Sequence, residues 1–270
     1  MHKPTILNHV LAIIFLLIFL LPVIYIVLSA FKSTQELFSA TQTFFPRNWT
    51  LVNFERAASR GNFFVYIRNS FVVAIASTLL AVLINTMSGY ALAKFRFKGD
   101  KIIMILILST IMLPLEVIMV PIFSVLRFFG LFNSLWALII PPAATPAGIF
   151  LMRQFLLKIP DEMLESARID GASEWRIFYS IVAPNAKPAI ATIAIFSFMW
   201  RWNDYIWPLI AISSPSKYTL QLAIANFYGE FNVDWNSILA MSTISMIPML
   251  IVFLIFQRQF VQGTVETGMK

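Results

Sequence analysis

The stretch SFVVAIASTLLAVLINTMSGYALA, residues 70–93, decides the fold. It holds no carboxylate, lysine, arginine or histidine, and basic residues resume on either side at Arg68 and Lys94. A helix rises 1.5 Å per residue, so a run of about 20 apolar residues crosses the hydrocarbon core of a bilayer. Moving outward, five more apolar runs of similar length appear, at about 10–31, 102–126, 134–156, 188–210 and 238–256. The first is long enough to span and has no clear small-x-small cleavage site after it, so it reads as an uncleaved helix. The sequence thus predicts an all-α integral membrane protein, a single domain over 1–270 with about six transmembrane helices. Composition agrees: 59% of the 270 residues are hydrophobic and only 12% are charged, about half the charged share of a soluble domain. Pro114 and Pro121 in the third run, and Pro141, Pro142 and Pro146 in the fourth, predict kinks or breaks, which membrane helices tolerate where neighbours satisfy the freed carbonyls.

Lysines and arginines set the orientation. With both termini inside, Lys94, Arg96, Lys98 and Lys101 share one tight cytoplasmic loop. Arg153, Lys158, Arg168, Arg176 and Lys187 join them, as do Lys3, Arg258 and Lys270. Lys32, Arg47, Arg56, Arg60, Arg68, Arg127 and Lys217 fall outside, and Arg201 falls within the membrane. Short loops carry the most weight in this rule. The net charge of +7 therefore reads as topology rather than as a nucleic-acid surface. With no cysteine, and histidine only at His2 and His9, disulfides, thiolate catalysis and a metal site are not expected. No Gly-rich phosphate loop occurs, so no ATP binding by that route is expected, nor is an enzyme.

The inside loop 157–187, between the fourth and fifth runs, is the most informative polar segment. It contains Lys158-Ile-Pro-Asp-Glu-Met-Leu-Glu-Ser-Ala-Arg-Ile-Asp-Gly-Ala-Ser-Glu-Trp-Arg176. Pro160 suits a helix start. Asp161 and Glu162 suit the positive end of the helix dipole. Gly171 suits a left-handed stop, and Ser173 the cap of a second helix. Met163, Leu164, Ala167 and Ile169 form an apolar side, and Glu165 lies near Arg168 on the helix surface. Such a helix either lies in the lipid headgroups or docks in a groove of another protein.

The same loop resembles that of permease subunits of binding-protein-dependent ABC importers. Their motif reads Glu-Ala-Ala, three residues, Gly, nine residues, Ile-x-Leu-Pro. Here Glu165-Ser166-Ala167, Gly171 and Ile181-Val182-Ala183-Pro184 stand at those spacings, with Ser166 and Ala183 as departures. Arg68-Asn69-Ser70-Phe71 and the segment Gly89 to Gly99 are similar to other family stretches, and Trp202-Asn203-Asp204-Tyr205-Ile206-Trp207-Pro208-Leu209 resembles the maltose-type sugar branch. The resemblance implies a coupling helix whose docking residues are Glu165, Ser166, Ala167, Arg168, Asp170, Gly171 and Pro184. Glu165 would pair with a basic residue of an ATPase subunit. It implies as partners a second permease of different sequence, two ATPase subunits that use ATP and magnesium, and an extracytoplasmic solute-binding protein. It also implies the inner membrane of a bacterium or archaeon, with a sugar or oligosaccharide as cargo. Glycerol phosphate is the alternative cargo, and a proton-coupled secondary transporter the alternative class.

Ionisable residues inside membrane helices mark pathways or structural pairs. Glu116, Arg201 and Asp204 are the candidates, at similar heights in the outer half of their helices. One reading pairs Glu116 with Arg201 or leaves these groups exposed near the outer surface. The other makes Glu116, Arg201, Asn203, Asp204 and Tyr205 a polar route for sugar, with Trp202, Tyr205 and Trp207 stacking on sugar faces or sitting in the interfacial belt. Asn85 reads as glue between helices rather than a substrate contact.

Overall fold

The computed structural model describes residues 6–59, 61–227 and 233–268, with side chains to 257. Lys3, Arg60 and Lys270 of the charge pattern lie outside the described residues, as does the side chain of Arg258. Among the described residues the chain is helix and connecting loop. In chain order the helices are α1 (Ile6–Ser29), α2 (Thr34–Leu37), α3 (Val52–Ser59), α4 (Phe63–Lys94), α5 (Asp100–Ile111), α6 (Leu115–Phe128), α7 (Trp136–Ile139) and α8 (Pro146–Leu156). There follow α9 (Asp161–Ile169), α10 (Glu174–Ile177), α11 (Ala183–Asn185), α12 (Lys187–Asn203), α13 (Ile206–Ala211), α14 (Leu220–Ala225) and α15 (Trp235–Gly268).

Three helices are long and apolar enough to cross a membrane unbroken: α1, α4 and α15. Three bent pairs bring the possible spans to six: α5 with α6 at 111°, α7 with α8 at 42°, and Glu174–Asn185 with α12 at 79°. The prolines account for two of these breaks. Pro114 lacks an N–H and biases Leu113 away from helical geometry, so α5 stops and α6 restarts with Pro114 extended at ψ 138°. In the fourth span Pro146 opens α8 at the position where its missing N–H costs nothing, and the Thr145 hydroxyl caps it by accepting from Gly148 N–H at 3.2 Å. The third break follows a π-turn over Phe178–Val182, which carries the helix to Pro184. The fifth apolar run is not one helix to residue 210. It stops at Asn203, because Asp204 is extended, and resumes as α13.

The structure divides into two compact units: Met1–Phe64 with Ala223–Met249, and Val65–Leu222 with Leu250–Lys270. In the first, Lys32 is buried, its Nζ donating to the Thr43 carbonyl and lying 4.9 Å from the Tyr25 ring centroid. Asn53 Nδ2 donates to the carbonyls of Ala30 (2.8 Å) and Lys32 (2.7 Å), tying α3 to the end of α1. In the second unit, one apolar cluster gathers Tyr90, Met152, Leu156, Leu164, Ile177 and Val182 around the loop 157–187. Another gathers Val73, Leu126, Leu138 and Trp207.

Asn85 is the joint between α4 and the break in the fourth span. It is fully buried, its Nδ2 donates to Ala81 O at 2.6 Å, and its Oδ1 accepts from Thr145 N–H at 3.0 Å. Asn85→Ala leaves that N–H without its acceptor. A loss of about 1–2 kcal/mol is expected, measurable as a lower melting temperature in detergent than for the exposed control Asn203→Ala.

Candidate functional site

Local chemistry builds α9 as its sequence dictates. Pro160 precedes it, Asp161 and Glu162 fill its first turn, and Gly171 adopts φ 79° beyond its end. Gly171 N–H donates to Arg168 O at 3.0 Å and Ala172 N–H to Ala167 O at 3.0 Å. These are the two bonds of a left-handed glycine stop. Ser173 then caps α10, its hydroxyl accepting from Arg176 N–H at 3.4 Å.

One side of α9 is anchored and the other is bare. Leu164 is buried in the cluster of Tyr90, Met152, Leu156 and Ile177, and Ala167 packs against it. The apolar side expected from the sequence divides here, because Met163 (43% exposed) and Ile169 (86%) face outward. Glu165, Ser166, Asp170 and Gly171 are exposed with them. Ser166 Oγ donates to Glu162 O at 2.8 Å. Pro184 is exposed too, but on α11 beyond the π-turn rather than on α9.

Glu165 and Arg168 stand three residues apart on α9 as expected, and Arg168 also reaches Glu174 across the glycine turn, Nε to Oε1 at 2.7 Å. Tyr90 of α4 donates its hydroxyl to the same carboxylate at 3.0 Å. Four residues on, Lys94 pairs with Asp161 at 2.6 Å and donates to the Ile159 carbonyl. The Arg168 guanidinium holds the Glu174 carboxyl below the usual carboxylate range, against a smaller opposing effect of burial, and Lys94 does the same for Asp161. A depressed carboxylate stabilises the fold above its unfolded pKa and loses that contribution as pH falls through the folded one. Both ties are therefore complete at neutral pH and open only in acid, below the ordinary carboxylate range. The sequence reading missed Tyr90, Lys94, Asp161 and Glu174 as partners. The available signal was the spacing of Tyr90 and Lys94, one turn apart at the end of α4.

The intramembrane candidates are arranged differently from the expectation. Arg201 pairs with Asp204, Nη1 to Oδ2 at 3.2 Å, and not with Glu116. Asp204 Oδ1 also accepts from Trp207 N–H at 3.3 Å, capping the start of α13. Glu116 is exposed in the first turn of α6, just past the 111° bend, so the comparison of heights along a straight helix does not hold. Asn203 is exposed and donates back to Met199 O at 2.9 Å, and Tyr205 is exposed beside it. Trp202 and Trp207 are enclosed, which removes them as stacking surfaces. Trp202 packs on Phe71 at 4.8 Å and Phe198 at 6.0 Å between centroids, and Trp207 Nε1 donates to Ala137 O at 2.9 Å. No cluster of three or more possible metal ligands occurs among the described residues.

Comparison with known proteins bears on this arrangement. The model of the family described as "Binding-protein-dependent transport system inner membrane component" matches residues 85–266. The arabinooligosaccharides transport system permease protein AraQ of Halalkalibacterium halodurans is 33% identical over 252 residues, covering 92% of this chain and 90% of that one. The sn-glycerol-3-phosphate transport system permease protein UgpE of Pectobacterium atrosepticum is 34% identical, covering 96% and 95%. Among solved structures, a bacterial ABC transporter involved in the import of the acidic polysaccharide alginate superposes with a TM-score of 0.83 at 26% identity, over 94% of this chain and 95% of that one. The matched region holds Asn85, Tyr90, the whole of α9 with its glycine stop, and the Arg201–Asp204 pair, and on that match the chain belongs to the family of binding-protein-dependent transport system inner membrane components.

Proposed function

We propose that the chain is the membrane-spanning permease subunit of an ATP-driven importer for a sugar or oligosaccharide. The observation that carries the reading is the two-sided α9, bare outside and tied inside to α4. In this reading separate ATPase subunits receive the bare face and supply energy from ATP with magnesium. A second permease chain completes the pore, and a solute-binding protein delivers cargo on the far side of the inner membrane of a bacterium or archaeon. The expected orientation places the loops 94–101 and 157–187 together inside, and the Lys94–Asp161 pair supports placing them at one end. ATPase closure would push α9. The ties through Tyr90, Lys94 and Leu164 would carry that push to α4 and α8 as a rigid body, switching the pore between two states.

The relatives leave two cargo classes, since AraQ is named for arabinooligosaccharides and UgpE for glycerol phosphate. The neutral sugar is favoured because Arg201, the cation the sequence offers on the candidate route, is already matched by Asp204. Purification of the tagged chain in mild detergent, followed by mass spectrometry, tests the assembly. An ATPase and a second permease are expected. A chain that purifies alone, and in liposomes transports alone along a proton gradient, overturns the reading.

The Arg168–Glu174 pair predicts a specific defect. Glu174→Gln is expected to lower uptake severalfold at unchanged expression, because exposed pairs of this kind contribute less than about 1 kcal/mol to stability. Arg168→Gln should do the same, and the double variant no worse than either alone. Multiplying losses in the uptake assay would show that the two residues act independently.

A further inference from the structure

A cavity of about 190 Å³ opens in the second unit where α4, α5 and α8 meet. Three cations line it, Arg96, Lys101 and Arg153, against one carboxylate, Asp100. That carboxylate is engaged: one oxygen accepts from Lys101 N–H at 2.7 Å and the other lies 3.9 Å from Arg96. Arg153 is fixed at the wall by its Nε–H, which donates to Leu92 O at 3.1 Å. The rest of the lining is apolar, from Leu92, Met104 and Ile105. Ile105 continues onto a face of α5 where Ile102 (64%) and Leu106 (59%) are also exposed.

We propose that the headgroup of an anionic phospholipid occupies this cavity, its phosphate against Arg96, Lys101 and Arg153 and its acyl chains along the exposed face of α5. A ligand for this lining must be anionic at one end and apolar at the other. A free phosphate would satisfy the cations and leave Ile105 and the α5 face uncovered. Basic pockets at the ends of membrane helices, at headgroup level, suit phosphate-bearing lipids. Lys94, two residues after Leu92, pairs with Asp161 and is not among the cations of the lining. The inference rests on residence in a membrane and not on the cargo or the ATPase partners.

The test is native mass spectrometry of the full chain, with whatever subunits copurify, titrated with phosphatidylglycerol or phosphatidylcholine. Wild type is expected to retain phosphatidylglycerol preferentially. The exposed pair Arg96→Gln/Lys101→Gln should reduce that preference on the order of tenfold, each neutralised cation near a membrane surface weakening anionic lipid binding severalfold. Lys98→Gln/Lys158→Gln removes two exposed charges outside the lining and should leave the preference intact. The proposal is overturned if wild type does not discriminate between the two lipids, or if both double variants lose the preference equally. Displacement of the lipid by millimolar inorganic phosphate would identify a free-anion site and overturn it as well.

Discussion

Uptake by the Gly171→Phe variant is expected to fall at least tenfold, with the protein still inserted at wild-type levels. Gly171 holds φ 79°, where an L side chain costs roughly 1–2 kcal/mol. That strain alone would loosen the stop of α9. Yet a Cβ built at Gly171 meets nothing within 4 Å inside the subunit. Ala and Phe at 171 therefore carry nearly the same backbone strain, and the exposed position leaves their β-carbon open. Asn, which tolerates the left-handed region, carries less. A series of Gly171→Asn, Gly171→Ala and Gly171→Phe therefore separates two causes. Backbone strain alone predicts Asn best, with Ala and Phe equal. A partner packed against the bare face predicts that Phe is far worse than Ala. Reversing the charge in Glu165→Lys should act on the same bare surface, since Glu165 is exposed six residues before the glycine stop, and should lower uptake without lowering the melting temperature. Equal uptake by the Ala and Phe variants would remove the docked partner from the account.

The course of α9 was legible because each of its signals acts on its own neighbours in sequence. Gly171 and Ser173 make hydrogen bonds to residues three positions away, and Pro160 and Asp161 act on the first turn itself, so spacing alone places them. Its partners were not legible in that way. The pairing of Arg168 with Glu174 depends on the turn at Gly171 and on Tyr90 arriving from α4. The intramembrane pair failed for a different reason. Counting 1.5 Å per residue assumes a straight helix, and the 111° bend at Pro114 removes that measure for Glu116. Trp202 and Trp207 were ambiguous because lipid is as apolar as a protein core, so hydrophobicity does not mark which face of a membrane helix turns inward. What encloses them is contact with Phe71, Phe198 and the Ala137 carbonyl, brought by other helices.

A second large effect is expected at Gly89, where the missing side chain sets the distance between α4 and α8. A Cβ there would stand 2.7 Å from both Cβ and Cγ of Met152 and 3.0 Å from the backbone nitrogen of Arg153. Met152 is fully buried and cannot swing into solvent. Even alanine must push α8 away, at an overpacking cost of about 1–3 kcal/mol, and leucine considerably more. The separation would not stay local. Met152 shares its cluster with Tyr90 and Leu164, and Arg153 holds the Leu92 carbonyl. Gly89→Leu is thus expected to yield little assembled protein, and Gly89→Ala a protein with a lower melting temperature and reduced uptake. Met152→Ala by itself opens a cavity and costs about 2–5 kcal/mol. Combined with Gly89→Ala, the added methyl occupies part of the space that Met152 Cγ vacates, so the double variant should be less destabilised than the sum of the singles. The rescue is expected to be partial, because Met152 Cβ and the Arg153 nitrogen remain in place. Strict additivity in thermal unfolding would mean that α4 and α8 do not meet at Gly89. The path from α9 into the membrane would then have to run through Tyr90 and Lys94 alone.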